Sequence, residues 1–588
     1  MKLFSMNRLA SSTLARLTQA DRLEHMYREV DPALDAASFS REALRTLGVS
    51  FSLDIAELER VPAEGPVIIA CNHPYGGIDG LAAIAALMAR RPDLLVVATS
   101  VLERISQLAP LLVCVENRGP RPAVHLNACA LRRALREVSG GRALLLFPAG
   151  VVSHLDLRGR CIVDPPWRRS VVRFLVAARA PVVPMHVSGC NGPGFQLAGL
   201  IHPALRTALL PRELLNKRGA RLRLRIGDAL PADKISALDQ NDRLEAHVRV
   251  RLYSLAAPRH FDGPSRTAIE PGTRGGWAPI AAPPDSETLA QEITTLAPSS
   301  RLLALGPIEV YCAPAQALPS ILREIGRLRE ITFRSVGEGT GKAVDLDPFD
   351  ARYDHLFAWD SSARCVVGAY RIGRMDELRR AHGRGACYLE TLFEFRDPVF
   401  ALLGPTLELG RSFVRAEYQK SFAPLLALWR GIGEYVGRHP RYVRLLGPVS
   451  ISADYGILGR DLLLRYLRQH HYDPLLAAMV RPRTPARPVP GLATLGPALA
   501  TVANVEAISE LMADGTDTGS QRGVPVLLRQ YLKLGGRVLG FNIDPAFGDC
   551  IDCLTLVDLR RTPPESLSRF MSSKARAATG LQGKRQPD

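Results

Sequence analysis

The stretch Asn72-His73-Pro74-Tyr75-Gly76-Gly77-Ile78-Asp79-Gly80 sets an imidazole and a carboxylate in a glycine-rich turn, directly after the apolar run Val67-Ile68-Ile69-Ala70. Those residue types at that separation suit general-base chemistry. A hydroxyl attacking a thioester must lose its proton in the transition state, and a neutral imidazole held in one tautomer by a carboxylate accepts it near neutral pH. His73 is the expected base and Asp79 its orienting group. Most loop histidines are merely solvated turn residues, so the pair gains weight only from its surroundings. Residues 144–150, Leu-Leu-Leu-Phe-Pro-Ala-Gly, predict a buried strand breaking into a turn, with Ser153 and His154 just beyond. Pro181 to Val187 predict a second short strand running into Ser188-Gly189-Cys190-Asn191-Gly192. Arg118 and the turn Asp164-Pro165-Pro166-Trp167 lie among these segments.

The elements that must position these groups follow from periodicity. Helical patterns at Ala82 to Arg90 and Asn127 to Val138 alternate with the short apolar strands, which predicts an α/β sheet packed by helices. Residues 258–284 are thick with Pro and Gly and are the expected linker. The alternation then restarts, with a helix entrance at Ser286, a strand at Ile308 to Tyr311, a long helix from Leu318 to Arg334 and a strand at Cys365 to Arg371. The predicted organisation is a domain over 1–257, the linker, a second α/β domain over 285–565 and a basic, disordered tail over 566–588.

Residues 407–421 of the second half predict a strand with Glu408 and Arg411 three positions apart, then a basic turn into a helix from Leu425 to Val436. A strand opening onto a helix N-terminus makes an anion site, and Arg411, Arg415 and Lys420 are its expected ligands; the alternative is a solvated, charged strand edge. Glu408 is the expected general base or amine-positioning group, because an ammonium must be deprotonated before it attacks a thioester. Glu390 and Asp354 are competing carboxylates, and Arg411 has a second role open to it as a bidentate partner of a carboxylate.

Composition bounds the rest. The chain has 588 residues, 47% hydrophobic and 23% charged, which is globular and too long for one ordinary core. A formal charge of +17 calls for an anionic partner, either a membrane surface or an acidic carrier protein. Aromatics are only 6% and basic residues are interleaved with leucines, so nucleic acid is not expected. No apolar run approaches the roughly 20 residues that span a bilayer. The start of the chain lacks a secretory apolar core, and its leucines among Lys2, Arg8 and Arg16 fit an interfacial amphipathic helix as well as an ordinary surface one. A cytoplasmic enzyme, peripheral at the inner face of a bacterial membrane, is the expectation. The ten cysteines are scattered, and Cys550-Ile551-Asp552-Cys553 lacks half the ligands of a zinc site, so no metal is expected.

The order and spacing of the His73, Phe147-Pro148 and Pro181–Asn191 blocks resemble the glycerolipid acyltransferases that acylate lysophosphatidic acid, and more closely a bacterial branch acting on lysophospholipids or lyso-ornithine lipids. In that family the aspartate follows the histidine by five positions; here one more residue intervenes. The family's Phe-Pro-Glu-Gly is Phe147-Pro148-Ala149-Gly150, so its glutamate has no counterpart. The resemblance implies a substrate-binding set of Asn72, Arg118, Phe147, Pro148, Gly150, Ser153 and Asn191, with backbone donors near Gly150 or Gly189 for the oxyanion and no covalent acyl-enzyme on Ser153.

In the second half, Tyr353-Asp354-His355-Leu356, Val367 to Arg371, Leu407 to Ser412 and Gly536 to Pro545 resemble the GNAT-fold N-acyltransferases that begin ornithine-lipid synthesis, and more distantly the acyl-homoserine-lactone synthases. That resemblance implies substrate contacts from Asp354, Arg371 and Glu390 and an acyl-carrier-protein donor. Coenzyme A thioesters are the alternative donor, but the glycine-rich signature that cradles coenzyme A is missing after Arg415; no tightly bound cofactor is expected. The fusion resembles bifunctional ornithine-lipid synthases: the second domain acylates the amine of ornithine with a 3-hydroxyacyl chain, and the first acylates the new hydroxyl. The alternatives are a lysophospholipid acyltransferase with an inactive, carrier-docking second half, and a haemolysin-like membrane-active protein.

Overall fold

The computed structural model describes residues 19–116, 122–157, 161–239, 243–256, 277–489, 492–500, 502, 504–515 and 523–581. They form two compact units, the first including the described residues up to 256 together with 492–502, the second the remainder. No described helix is long and apolar enough to cross a membrane.

The first unit is a mixed seven-stranded sheet built from β1 (Ser50–Ser52), β2 (Val67–Cys71), β3 (Leu95–Thr99), β4 (Leu112–Val115), β5 (Ala143–Leu146), β8 (Val182–Val187) and β9 (Arg221–Ile226). Its order is β1-β9-β8-β2-β5-β3-β4, and β6 (His154–Asp156) with β7 (Cys161–Val163) makes a separate ribbon. Strand β2 lies between β5 and β8, parallel to both, and is buried along its whole length. Alternation explains the unbroken apolar run. Val67, Ile69 and Cys71 face one core with the helices Ala36–Thr46 and Gly77–Leu87, while Ile68 and Ala70 face another with Pro122–Ser139, Arg169–Ala177 and Leu244–Ser254. The carboxyl ends of β2, β5 and β8 emerge together, carrying the three segments singled out in the sequence; open α/β sheets bind ligands at this edge.

The second unit is an eight-stranded sheet ordered β10-β11-β12-β13-β15-β16-β19-β18, from β10 (Arg301–Leu305), β11 (Ile308–Pro314), β12 (Asp354–Asp360), β13 (Cys365–Arg374), β15 (Thr406–Val414), β16 (Arg444–Ile451), β18 (Arg537–Asp544) and β19 (Cys550–Asp558). A small ribbon pairs β14 (Phe393–Phe395) with β17 (Val480–Pro482). The central pair β15 and β16 runs parallel and is joined only over Thr406 to Glu408. Beyond Gly410 the register of β15 against β13 shifts by one residue, and Arg411 takes a left-handed φ of 51°. This bulge turns Arg411 onto the sheet face that carries Arg371 and Glu408.

Three expectations about organisation change. The Pro-rich stretch through 284 is not all linker, because residues 277–284 belong to the second unit: Ala278 and Ala281 donate to the carbonyls of Gly341 and Ala343, and Trp277 lies 4.8 Å from the Arg334 guanidinium. The remainder of that stretch lies outside the described residues, as do residues 1–18. Residues 492–502, expected in the second domain, pack on the first unit through Leu495, Ala498 and Leu499, all fully buried, against the helix Leu244–Ser254. Residues 566–578 of the expected disordered tail lie instead in and between the helices Pro564–Phe570 and Ser573–Ala578, and residues 582–588 lie outside the described residues. The two helices approach the helix Ala423–Arg438 so closely that a Cβ on Gly433 would fall 2.3 Å from the Phe570 carbonyl oxygen.

Candidate functional site

Strand β2 ends in the turn that carries His73, and the helix Gly77–Leu87 begins three residues after Pro74 with Asp79 in its first turn. The Asp79 carboxylate is fully buried, and one oxygen, Oδ2, accepts the amides of Tyr75 at 2.8 Å and Gly76 at 2.9 Å. That oxygen lies 3.1 Å from Nδ1 of His73, a close charge contact without hydrogen-bond alignment. The turn between histidine and aspartate passes through Gly76, whose φ of 99° only glycine adopts without strain. The imidazole retains 19% exposure, and its ring packs on Phe147 with centroids 4.3 Å apart. With Nδ1 turned to Asp79, Nε2 is the nitrogen left to exchange a proton.

The residues around this pair divide into wall and scaffold. Phe147 and the buried Pro148 form the wall. Asn72, expected to bind substrate, is instead a buried clamp: its side chain donates to the Val187 carbonyl at 2.9 Å and accepts the Val187 amide at 2.6 Å, tying β2 to β8 beyond their ladder. Ser153 is also scaffold, its amide donating to the His73 carbonyl and its hydroxyl to Asp164. The Gly150 amide closes a turn onto the Phe147 carbonyl at 3.0 Å, so it does not serve as an oxyanion donor. Asn191 donates to the Tyr75 carbonyl at 3.2 Å, while its own Oδ1 is buried without a hydrogen-bond partner. Gly189, with φ of 107°, lets Tyr75 come so close that a Cβ would meet the Tyr75 hydroxyl at 1.8 Å. Arg118 lies outside the described residues.

Sequence reasoning missed the role of Asp164. It is buried, accepts from Ser153 and from the His73 amide at 3.3 Å, and is anchored through its backbone by the Tyr253 hydroxyl and Arg249. Burial pushes its carboxyl up from the ordinary aspartate range. The available signal was an aspartate immediately before two prolines, a locked turn opposite the histidine.

In the second unit, Glu408 is 1% exposed and both its oxygens are engaged, accepting the Tyr353 hydroxyl at 2.7 Å and the Leu389 amide at 2.9 Å. Burial lifts its carboxyl to about 7. The competing carboxylates do not share its setting. Cross-strand register puts Asp354 level with Ile372 and Leu409, on the opposite sheet face from Glu408, where it accepts from Arg374 and Tyr435. Glu390 is paired with Arg379 and accepts the Cys387 amide.

Arg371 is buried in an ion network rather than open to a substrate. It meets Asp347 at 2.7 Å and Asp350 at 3.3 Å, while Arg329 takes Asp350 at 2.8 Å. Arg411 extends the network, 3.4 Å from Asp347 and 3.7 Å from Asp345, with its guanidinium between the rings of Tyr388 and Phe547. The expected anion site is therefore not assembled: Arg411 is nine-tenths buried among carboxylates, Arg415 pairs with Glu417, and Lys420 is exposed. Cys550 and Cys553 are both buried on β19, three positions apart and so on opposite faces.

Comparison with known proteins agrees with this division. Residues 7–258 match the family described as Acyltransferase, and residues 328–430 match the Acetyltransferase (GNAT) domain. The chain is 36% identical over 176 residues to a glycine N(alpha)-acyltransferase of Phocaeicola vulgatus, covering 28% of this chain and 54% of that protein. It is 37% identical over 177 residues to the protein of the same name from Bacteroides thetaiotaomicron, covering 28% and 52%. A lyso-glycine lipid O-acyltransferase of Phocaeicola vulgatus is 26% identical over 215 residues, covering 33% of this chain and 73% of that protein. The chain spans about half the length of the two N-acyltransferases it matches. It carries an acyltransferase domain followed by a GNAT domain, each of mixed α/β architecture.

Proposed function

We propose that this chain is a bifunctional acyltransferase that builds an aminolipid, with ornithine as the amino acid. The second unit N-acylates the amine with a 3-hydroxyacyl group from acyl carrier protein, and the first unit O-acylates the hydroxyl so introduced. The observation that carries the reading is the His73–Asp79 pair at the carboxyl edge of the first sheet, in a chain that also holds a GNAT domain. The relatives support the two-step aminolipid reading, since one is named for N-acylation of glycine and the other for O-acylation of a lyso-glycine lipid.

In the O-transfer, the acceptor hydroxyl oxygen attacks the thioester carbon while Nε2 of His73 takes its proton. The tetrahedral intermediate then collapses, the C–S bond breaks, and the imidazolium returns the proton to the leaving thiolate. Asp79 holds the ring and steadies the imidazolium. In the N-transfer, the ammonium first gives one proton to the base, the amine nitrogen attacks the thioester carbon, the C–S bond breaks, and the nitrogen's second proton goes to the leaving thiolate. Glu408, held near neutrality by burial, acts through the Tyr353 hydroxyl that it accepts. The helix Pro193–Ile201 borders the first site, since Gln196 donates to the Asn191 carbonyl, and it exposes Leu197, Leu200 and Ile201. An apolar helix face on a chain of charge +17 supports docking on an anionic lipid surface, where the lyso-lipid resides.

The test uses the purified chain with ornithine and a 3-hydroxyacyl carrier-protein thioester. A monoacylated product is expected, converted to the diacyl form when a second acyl thioester is added. His73→Ala should stop at the monoacyl stage. Normal diacyl formation by that variant would overturn the assignment.

A further inference from the structure

The helix Leu244–Ser254 of the first unit carries buried residues all the way round. Its period sorts them into three faces. Leu244 and Val248 join the core that Ile68 and Ala70 of β2 enter. Glu245, Arg249 and Tyr253 hold the turn Asp164-Pro165-Pro166-Trp167: the Tyr253 hydroxyl accepts the Asp164 amide at 3.0 Å, Arg249 donates to the Asp164 carbonyl at 2.8 Å, and Glu245 accepts the Trp167 amide at 2.8 Å. The two prolines have no amide, so every backbone donor of that turn ends on this one helix. Ala246, Val250 and Ser254 mark the third face, and they are buried as well.

From the turn, the contacts run on to the base. The Asp164 carboxylate accepts the His73 amide at 3.3 Å and the Ser153 hydroxyl, while the Ser153 amide donates to the His73 carbonyl at 2.8 Å. Both backbone groups of His73 are thus bound by the pair that the helix supports. What packs on the helix from outside comes from far along the sequence. Residues 492–502 do so, although the chain on either side of them belongs to the second unit, where Val489 donates to Asp461 at 2.9 Å and Asn504 accepts the Ala507 amide at 2.9 Å. Leu492, Leu495, Leu499 and Val502 are all buried, and their steps of three, four and three positions make one apolar stripe.

We propose that residues 492–502 are a positioning strap for the O-transfer site, seated on the third face of the helix Leu244–Ser254 and holding His73 through Asp164. The first unit is then incomplete without a segment that the second half of the chain supplies. The proposal rests on the acyl-transfer reading above and adds a dependence of the first reaction on the second half. Leu495 and Leu499 touch no reacting atom; they fix the helix, the helix fixes the turn, and the turn fixes the histidine backbone. A base moved off its line to the attacking hydroxyl costs rate more than affinity.

The test uses the full chain. Leu499→Ala should lower kcat for O-acylation by about 10-fold, with KM for the monoacylated acceptor within about 2-fold of wild type and N-acylation unchanged. Leu499→Met, which keeps the volume, should behave as wild type. Tyr253→Phe, which removes the acceptor of the Asp164 amide, should lower the same kcat, and the double variant should lose less than the product of the two losses, because both act on one turn. Amide exchange reads the coupling without turnover: the peptide containing His73 should exchange faster in Leu499→Ala, while the peptide over 182–187 keeps its protection. A Leu499→Ala protein that keeps wild-type kcat or wild-type exchange at His73, or two losses that multiply in full, would overturn the strap and leave acyl transfer standing. A wild type that makes no diacyl product would overturn the acyl-transfer reading instead, and unchanged exchange at His73 would then overturn the strap as well.

Discussion

On the proposed function the two units face one chemical problem, activating a nucleophile against a thioester, and they place their key groups in opposite ways. In the first, the carboxylate is buried and held through one oxygen by two backbone amides, while the imidazole it steadies still reaches solvent. In the second, the carboxylate singled out by sequence is itself sealed, with both oxygens engaged, and the charged groups around it lock one another. A histidine base needs only one anchored neighbour, so a single turn builds it. The second unit's buried charges come from distant segments, so only a whole sheet face brings them into register.

The sharpest way to separate the units is His73→Ala, which should lower O-acylation by about 10²–10⁴-fold and leave N-acylation at the wild-type rate. Asp79→Asn should follow with a loss of roughly 10²-fold or more in the same step alone, since the tautomer and the helix start both depend on that carboxylate. Product ratios by mass spectrometry read both. The converse is Arg329→Ala, which leaves the buried Asp350 with Arg371 as its remaining cation and should cost the second unit about 3 kcal/mol, with the first unit's unfolding transition unmoved in denaturant melts.

The pH dependence should also differ between units. Glu408 and Glu338 have carboxyls raised to about 7 in the fold, above their unfolded values, so between about pH 4.5 and 7 the folded form binds more protons than the unfolded one. Their contribution is fully present below pH 4.5 and is lost as pH rises through 7, on the order of 3 kcal/mol for Glu408. Calorimetry should show the second unit melting earlier at pH 8 than at pH 6, with a flatter profile in Glu408→Gln. The smallest effect expected is for Gly189→Ala, whose Cβ forces the Tyr75 ring aside and should slow O-acylation by about 10-fold without touching N-acylation.

This contrast also governs how much was legible in the residues alone. His73 and Asp79 sit within one turn, so their meeting follows from local chain direction, and the flanking strands at 143–146 and 182–187 follow from apolar runs. Asn72 and Ser153 were misassigned because a polar residue beside a catalytic one looks the same in sequence whether it faces substrate or ties strands together. In the second unit the strands and the long helix at 319–335 were legible, but the side of the sheet was not. Nothing in the spacing of Glu408 and Arg411 reveals the bulge that brings them to one face, and Asp354 was a plausible rival until register put it on the other. Asp345, Asp347 and Asp350 had a readable signal, three aspartates within six residues just before a strand, but their partners come from distant segments.

The most direct test of the central claim is expression in a bacterium that makes no aminolipids, followed by mass spectrometry of total lipids for wild type and His73→Ala. The account predicts a diacylated amino-acid lipid in the wild type and its monoacylated precursor alone in the variant. A change confined to phospholipid acyl composition and dependent on His73, with no new aminolipid, would contradict it and leave the second unit without a catalytic role.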